Sequence, residues 1–364
     1  MKSNYKRLGD YIRQVDVRNK DERVKRLLGV SIDKVFIESI ANTVGTDMSV
    51  YKIVKRGQFA YGPVTSRNGD KVSIALLTEE ECIISSSYTV FEITDAKKLL
   101  PEYLNLWFKR PEFDRYARFH SHGSAREIFD WEEMCNVELP VPSIEEQEKI
   151  VDAYQKIETR IALKKKINEN LESQAFCIFN NYTANAEKNS VLCDMAVITM
   201  GTSPEGESFN QDGNGMIFYQ GRTDFGFRHP TVRLFTTQPK RFAKKGDVLM
   251  SVRAPVGDVN IANTDCAIGR GIASLRPKNY CYSFLYYAMK GLYYELNRFN
   301  DDGTVFGSIS KDDLFALKIF TVSNDKQIQF EKQVASIDKI ISDNENEICN
   351  LLNTKSILLS RLTN

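Results

Sequence analysis

The second half of the chain restates the first at an offset of 180 positions. Phe119 and Gly123 return as Phe299 and Gly303, Leu139 as Ile319 and Gln147 as Gln327. Ile150, Tyr154, Ile157 and Ile161 return as Phe330, Val334, Ile337 and Ile341, and no gap is needed over this stretch. Such a period lies far above the roughly 20–50 residues of solenoid repeats, so one whole structural unit is made twice. With 364 residues, each copy has room for its own hydrophobic core. Each reads as a globular part followed by a long helix, dividing the chain into residues 1–142, 143–180, 181–322 and 323–364.

The first long helix has a marked start. Pro140 and Pro142 block helix before it, Ser143 can accept from the free N–H groups of the first turn, and Glu145, Glu146 and Glu148 fall at its positive end. Ile150, Tyr154, Ile157, Ile161, Leu171, Ala175 and Ile178 form a seam of 4-3 spacing, interrupted at Lys164 and Asn168. The second helix starts near Ser323 and carries Phe330, Val334, Ile337, Ile341, Ile348, Leu351, Leu358 and Leu362, interrupted at Asn344 and Lys355. Lys164 and Asn344 are equivalent in the repeat, and polar seam residues cost stability while selecting one register. The expectation is that the helices pair through Ile150, Tyr154, Ile157, Ile161, Phe330, Val334, Ile337 and Ile341. Packing of each helix on its own globular part, with solvent at the breaks, would leave the same pattern. Helices of roughly 36–40 residues span about 55–60 Å. Joined through a globular domain they should run antiparallel, which for repeated units implies a pseudo-twofold arrangement.

The globular parts predict an α+β fold. Short β-branched runs bounded by turn residues cover 52–60, 72–77, 82–84 and 87–93 in the first, and 216–219, 231–235, 247–252, 259–262 and 272–275 in the second. A helix then closes each part, over 101–119 and 282–299, with Trp107, Phe108, Tyr286 and Tyr287 as core anchors.

Several function classes are disfavoured. The chain has no phosphate-binding Gly-x-x-x-x-Gly-Lys-Ser/Thr loop, no Gly-x-Ser-x-Gly elbow, no His-Glu-x-x-His and no Asn-Pro-Pro-Tyr-type tetrapeptide. Gly213-Asn214-Gly215 and Gly269-Arg270-Gly271 are incomplete as dinucleotide loops. Glu132-Glu133 and Asp312-Asp313 occupy equivalent positions before apolar runs, where helix capping or surface solvation explains them. An enzyme with its own active site is therefore not expected, nor a cofactor or metal held by this chain. No run of about 18 apolar residues is present, and the basic N-terminus lacks the apolar run of a secretory signal. Seven cysteines without a CxxC pair point to buried thiols in a reducing, cytoplasmic compartment.

The formal net charge is only +1, but charge is unevenly distributed. Residues 1–71 hold 15 Lys/Arg against 8 Asp/Glu, residues 72–142 hold 7 against 13, and residues 220–278 hold 11 against 4. One basic stretch per globular part, offset by acid elsewhere, suits a reader of double-stranded DNA, unless folding spreads these charges evenly in space. The turn-rich loop from Gly62 to Lys71 carries Arg67, Asn68 and Lys71, and its counterpart from Ser251 to Asp258 carries Arg253. Arginine pairs with guanine and asparagine with adenine in a groove, so these residues, with Arg126, Arg222, Arg228 and Arg270, are the candidate DNA contacts; ordinary solvated hairpins would carry the same residues. Gly123-Ser124-Ala125-Arg126 and Gly303-Thr304-Val305-Phe306 are either phosphate-holding turns or turns that position the next strand.

Longer runs resemble one family. They are Gly246-Asp247-Val248-Leu249, Ala267-Ile268-Gly269-Arg270-Gly271-Ile272-Ala273, the stretch from Gly303-Thr304 to Ile309-Ser310-Lys311-Asp312-Asp313-Leu314, and Leu139-Pro140-Val141-Pro142-Ser143-Ile144-Glu145-Glu146-Gln147-Glu148-Lys149-Ile150-Val151. Over essentially its whole length the chain resembles the specificity subunits of Type I restriction–modification systems. Val322-Ser323-Asn324-Asp325-Lys326-Gln327 departs by lacking the proline, which weakens the start of the second helix. The resemblance implies two target-recognition domains, each reading one half of a split, asymmetric site, with helices that set the spacer and dock two modification (methyltransferase) subunits. It implies restriction (endonuclease/translocase) subunits as further partners, and places S-adenosylmethionine, ATP and Mg in the partners. A methylation-only or related Type II system would use the same subunit, and a coiled-coil protein scaffold without DNA reading is the alternative of another class.

Overall fold

The computed structural model describes residues 5–39, 45–66, 68–123, 126–300 and 307–363. The chain divides into two compact units, residues 1–163 with 348–364, and residues 164–347. Each holds one globular head and a segment of each long helix. These helices are Ile144–Thr183 and Asn324–Ser360, and among the described residues no helix is long and apolar enough to cross a membrane.

The helix starts show how the repeat is built. The Ser143 hydroxyl accepts from Glu146 N at 3.4 Å, one of the N–H groups a first turn leaves unbonded. One turn in, buried Gln147 donates to the carbonyls of Lys98 and Pro142 at 3.0 and 2.9 Å and accepts from Leu100 N at 2.9 Å. Its equivalent Gln327 donates to Val322 O at 2.8 Å and accepts from the Asn279 amide at 2.9 Å. A buried amide thus ties each helix to the loop before the head's helix. The second start does without proline because this tie and the Asn279–Asn324 bond hold it.

Each head is built on a four-stranded antiparallel sheet of one topology. In the first, Ile12–Val15 pairs with Thr89–Ile93, which pairs with Phe59–Tyr61, which pairs with Ile74–Leu76. In the second the same order runs Ala196–Met200, Ile272–Pro277, Val248–Ser251, Val259–Ile261. A two-stranded ribbon recurs as well, Tyr5–Arg7 with Glu138–Pro140 and Ser190–Val191 with Lys318–Ile319. So does a short capped helix: Asp130 accepts from Glu133 N at 2.9 Å before Trp131–Asn136, and Ser310 from Asp313 N at 3.1 Å before Lys311–Phe315.

Outside this framework the heads diverge. The first adds the hairpin Leu28–Val30 with Phe36–Glu38 and the pair Lys52–Lys55 with Glu81–Ile84. The second adds a five-stranded mixed sheet in which Met216–Tyr219 runs parallel to Cys266–Ile268. The expected strand over 52–60 is two strands in different sheets, turning at Gly57 with φ +84°. The expected helix over 101–119 is also two, Pro101–Phe108 and Pro111–Phe119, since Pro111 has no N–H to continue the ladder. That over 282–299 ends at Gly291 and resumes as Tyr293–Asn297.

Trp107, Phe108, Tyr286 and Tyr287 are buried core anchors as expected. In the first unit Phe59 and Phe91 stack at 4.9 Å, with Phe108 edge-on to both. In the second, Phe330 of the C-terminal helix meets Phe179 of the central helix at 5.8 Å and Phe284 and Tyr287 of the head, each at 5.8 Å. The seam therefore does both things the pattern left open: it joins helix to helix and helix to head. Burying a ring of this size contributes about 2–3 kcal/mol. Tyr154, with Leu359 of the C-terminal helix and Leu362 of the turn after it, belongs to the first core, and Ile150 packs against it. Val334 belongs to the second core with Ile337 against it, while Ile161 and Ile341 are buried and Ile157 half-buried. In the second unit the helices run antiparallel, since Lys164 meets Asn344 at 2.7 Å and Glu347 at 2.8 Å while Tyr182 reaches back to Gln333 at 3.1 Å. The seam breaks answer one another: Asn344 donates to Asn168 Oδ1 at 2.7 Å.

The thiols fit the expectation only in part. All seven cysteines are free; Cys82, Cys266 and Cys281 are buried, but Cys177 and Cys349 lie exposed on the long helices. Burial pushes the Cys82 and Cys266 thiols up to about 12.

Candidate nucleic-acid interface

At one end of the second head's sheet, where two strands finish and two begin, the connecting loops converge. Thr202 N donates to Ile268 O, and Arg270 N to the Ser203 hydroxyl at 3.4 Å. A Cβ on Gly271 would lie 2.7 Å from Gln220 O, and one on Gly201 would lie 2.2 Å from Gly269 O, so these glycines let three loops touch by their backbones. Ser251 closes the 251–258 loop, donating to Pro255 O at 2.7 Å and accepting from Asp258 N at 3.0 Å. Arg222 pairs with Asp258 across to that loop. The outcome is one surface on which Arg222, Arg253 and Arg270 are all exposed.

The first head has the corresponding loop over 62–73. Its far stem is held by a buried pair: Asp114 accepts from Val72 N at 2.9 Å and from Lys34 Nζ at 2.5 Å, and Lys34 also donates to Val72 O at 2.5 Å. Burial pulls the Lys34 ammonium below its ordinary range, with Asp114 opposing the shift. Asn68 is half-buried, its amide 3.4 Å from Val64 O, and exposed Lys71 lies 3.7 Å from Asp33. Gly123, at φ +132°, lies beneath the Arg126 carbonyl, where a Cβ would come within 2.2 Å, and Arg126 is exposed. Arg67, Ser124, Ala125 and the turn from Gly303 to Phe306 lie outside the described residues.

Arg228 does not belong to this surface. It is buried, with its guanidinium paired to Asp338, 3.3 Å from Glu172 and bonded to the Tyr287 hydroxyl. A lone buried cation is very costly, and here two carboxylates, one from each long helix, compensate it. The neighbouring His229 meets Glu345 at 2.5 Å. Burial works against the Glu172 charge, but Lys290, Tyr286 and Arg228 hold its carboxyl below the usual range. Nothing in the local sequence separates Arg228 from its exposed neighbours, because both carboxylates come from more than 50 residues away.

Sequence reading missed Lys34, Asp114 and Ser203, which position the loops. Gly269 and Gly271 carried a signal, since glycines flanking an arginine mark backbone packed against backbone.

Comparison with known proteins follows the same division. The family model described as Type I restriction modification DNA specificity domain matches residues 41–173 and again 188–354. A protein of Methanocaldococcus jannaschii, provisionally described as the type I restriction enzyme MjaX specificity subunit, is 36% identical over 146 residues, covering 40% of this chain and 34% of that protein. The type I restriction enzyme HindI specificity subunit of Haemophilus influenzae is 24% identical over 145 residues, covering 39% of this chain and 31% of that protein. The match thus spans about a third of the length of these curated relatives. The crystal structure of a Type-I restriction-modification system S subunit from M. genitalium shares the fold, with a TM-score of 0.59 at 15% identity over 98% of this chain and 95% of that one. Matched by the model in both of its repeats, the chain belongs to the Type I restriction modification DNA specificity domain family.

Proposed function

We propose that this chain is the sequence-specific DNA-recognition subunit of a Type I restriction–modification complex, with each head reading one half of a split, asymmetric site in double-stranded DNA. The observation that carries the reading is the loop surface of the second head, where Arg222, Arg253 and Arg270 are exposed together on backbone-packed turns. Arginines on a firmly held surface suit both phosphate neutralisation and bidentate contact with guanine. The divergence of the heads outside a common framework supports two different half-sites.

In this reading the long helices set the spacer and dock two modification subunits, and restriction subunits complete the complex. Exposed apolar side chains on the helices support docking: Leu163, Leu352 and Ile357 in the first unit, Ile340 in the second. The chemistry, with S-adenosylmethionine, ATP and Mg, is assigned to those partners in the cytoplasm, and this chain is non-catalytic.

The test is methylome mapping of cells that carry the chain with its modification subunit, before and after exchange of residues 181–322 for the equivalent domain of another specificity subunit. A split methylated site that changes in one half only is the expected result. A site that changes in both halves, or no methylation by the unaltered pair, overturns the reading.

A further inference from the structure

The two reading loops carry their own alignment, written in hydrogen bonds rather than in sequence. In the first head Phe129 N donates to Pro63 O at 2.8 Å and Thr65 N to Glu127 O at 3.0 Å, with Val64 bridged to Ile128. In the second, Ile309 N donates to Val252 O at 3.1 Å and Ala254 N to Gly307 O at 2.8 Å, with Arg253 bridged to Ser308. Residues 127–129 and 307–309 keep the 180 offset of the framework, and the loops they clasp do not. The bonds set Pro63, Val64 and Thr65 against Val252, Arg253 and Ala254. Val64 and Arg253 therefore hold one place.

A second correspondence lies on the adjoining turn. Tyr61 pairs with Thr89 as Met250 pairs with Ala273, and one residue before these a turn closes in each head. Tyr88 N donates to Ser85 O at 3.1 Å, and Ile272 N to Gly269 O at 3.0 Å. Ser86 and Arg270 occupy the same position of that turn, and both are exposed. Two framework positions at one end of the sheet thus carry Arg and Arg in the second head, Val and Ser in the first.

We infer that Val64/Arg253 and Ser86/Arg270 are shared base-reading positions, and that the side chain at each sets one base of its head's half-site. Arginine selects guanine through O6 and N7, a valine methyl packs on the thymine methyl, and serine serves either partner. The second head then requires G where Arg253 reaches, and the first favours T where Val64 reaches. The inference rests on the DNA-recognition reading and goes further by naming the residues and bases.

The test maps the methylomes of wild type, Val64→Arg, Ser86→Arg, Arg253→Val and Arg270→Ser, each with the modification subunit. Val64→Arg is expected to change one base pair of the first half-site toward G·C and leave the second half untouched. Arg253→Val is expected to lower the preference for one G in the second half-site by about 5- to 150-fold. Its side chain is exposed and makes no hydrogen bond among the described residues, so this variant decides the matter where Val64→Arg abolishes methylation. An unchanged second half-site in Arg253→Val, or changes at several positions of both halves, overturns the inference. Absence of split-site methylation by wild type would overturn the DNA-recognition reading instead.

Discussion

The two units solve the junction between head and helices differently. In the second, Arg228 enters from a head loop and is held by Glu172 of the central helix and Asp338 of the C-terminal helix. In the first, the residue equivalent to Asp338 is Glu158, and it pairs with Lys355 of the other long helix. Lys109 of the head also faces this pair, its charge acting on Glu158. A cleft of about 880 Å³ remains, bordered by Lys34, Lys71, Lys109, Tyr154, Lys355 and Phe119. Lys109 lies over the Tyr154 ring at 5.2 Å, and burial lowers its pKa from the usual lysine value. One head reaches both long helices through a single buried arginine; the other meets them through Lys109, whose charge faces Glu158, and through apolar contact. A repeat that conserves backbone topology does not conserve how a head is anchored.

Removing that arginine should show the largest effect. Arg228→Met leaves half-buried Asp338 without its cation and buried Glu172 with Lys290 alone, at an expected cost of about 3 kcal/mol. Lys355→Met, at a pair roughly a third exposed, should cost about 1 kcal/mol or less. Denaturant unfolding of both variants measures the contrast, and equal losses would show that the junctions are alike.

The polar breaks come next. Asn344→Leu removes the partner of Asn168 and Lys164 and should cost about 1–3 kcal/mol through the buried amide left unpaired. The double change Asn168→Leu with Asn344→Leu should recover most of that loss, and a double-mutant cycle reads the coupling. Additive losses would mean that the two amides act separately.

The smallest effect should be at the capped helices, where the heads agree. Asp130→Ala and Ser310→Ala each remove an acceptor for an N–H of a first turn, at about 1 kcal/mol apiece. Thermal unfolding should give similar shifts. A large difference would mean that these caps do unequal work in the two heads.

Much of the framework was legible in the residues. The seam at 4-3 spacing, the proline and serine before the first helix, and the recurring Gln147 and Gln327 marked both helices and their order. Paired acids at 132–133 and 312–313, read as capping or solvated residues, stand in the first turns of two short helices whose caps are Asp130 and Ser310. The helix breaks at Pro111 and Gly291 were also written there and outweighed the apolar run. Of the candidate contacts, Arg222, Arg253 and Arg270 meet on one surface, although nothing in their spacing says so. Arg228 looks the same in sequence and lies in the interior.

Local periodicity and the 180-residue echo determined by themselves that the chain is two heads and two long helices, because those patterns depend on neighbours three, four or two residues away. Tertiary structure alone decided which arginine is buried and which residues of the two loops correspond. Insertions shift the loops from an offset of 180 to one of 189, and only the bonds from Glu127 and Phe129, and from Gly307 and Ile309, restore the match. Burial of a charge depends on carboxylates that arrive from distant helices, and pairing of loops depends on strands from elsewhere in the head. Neither quantity exists until the chain has closed.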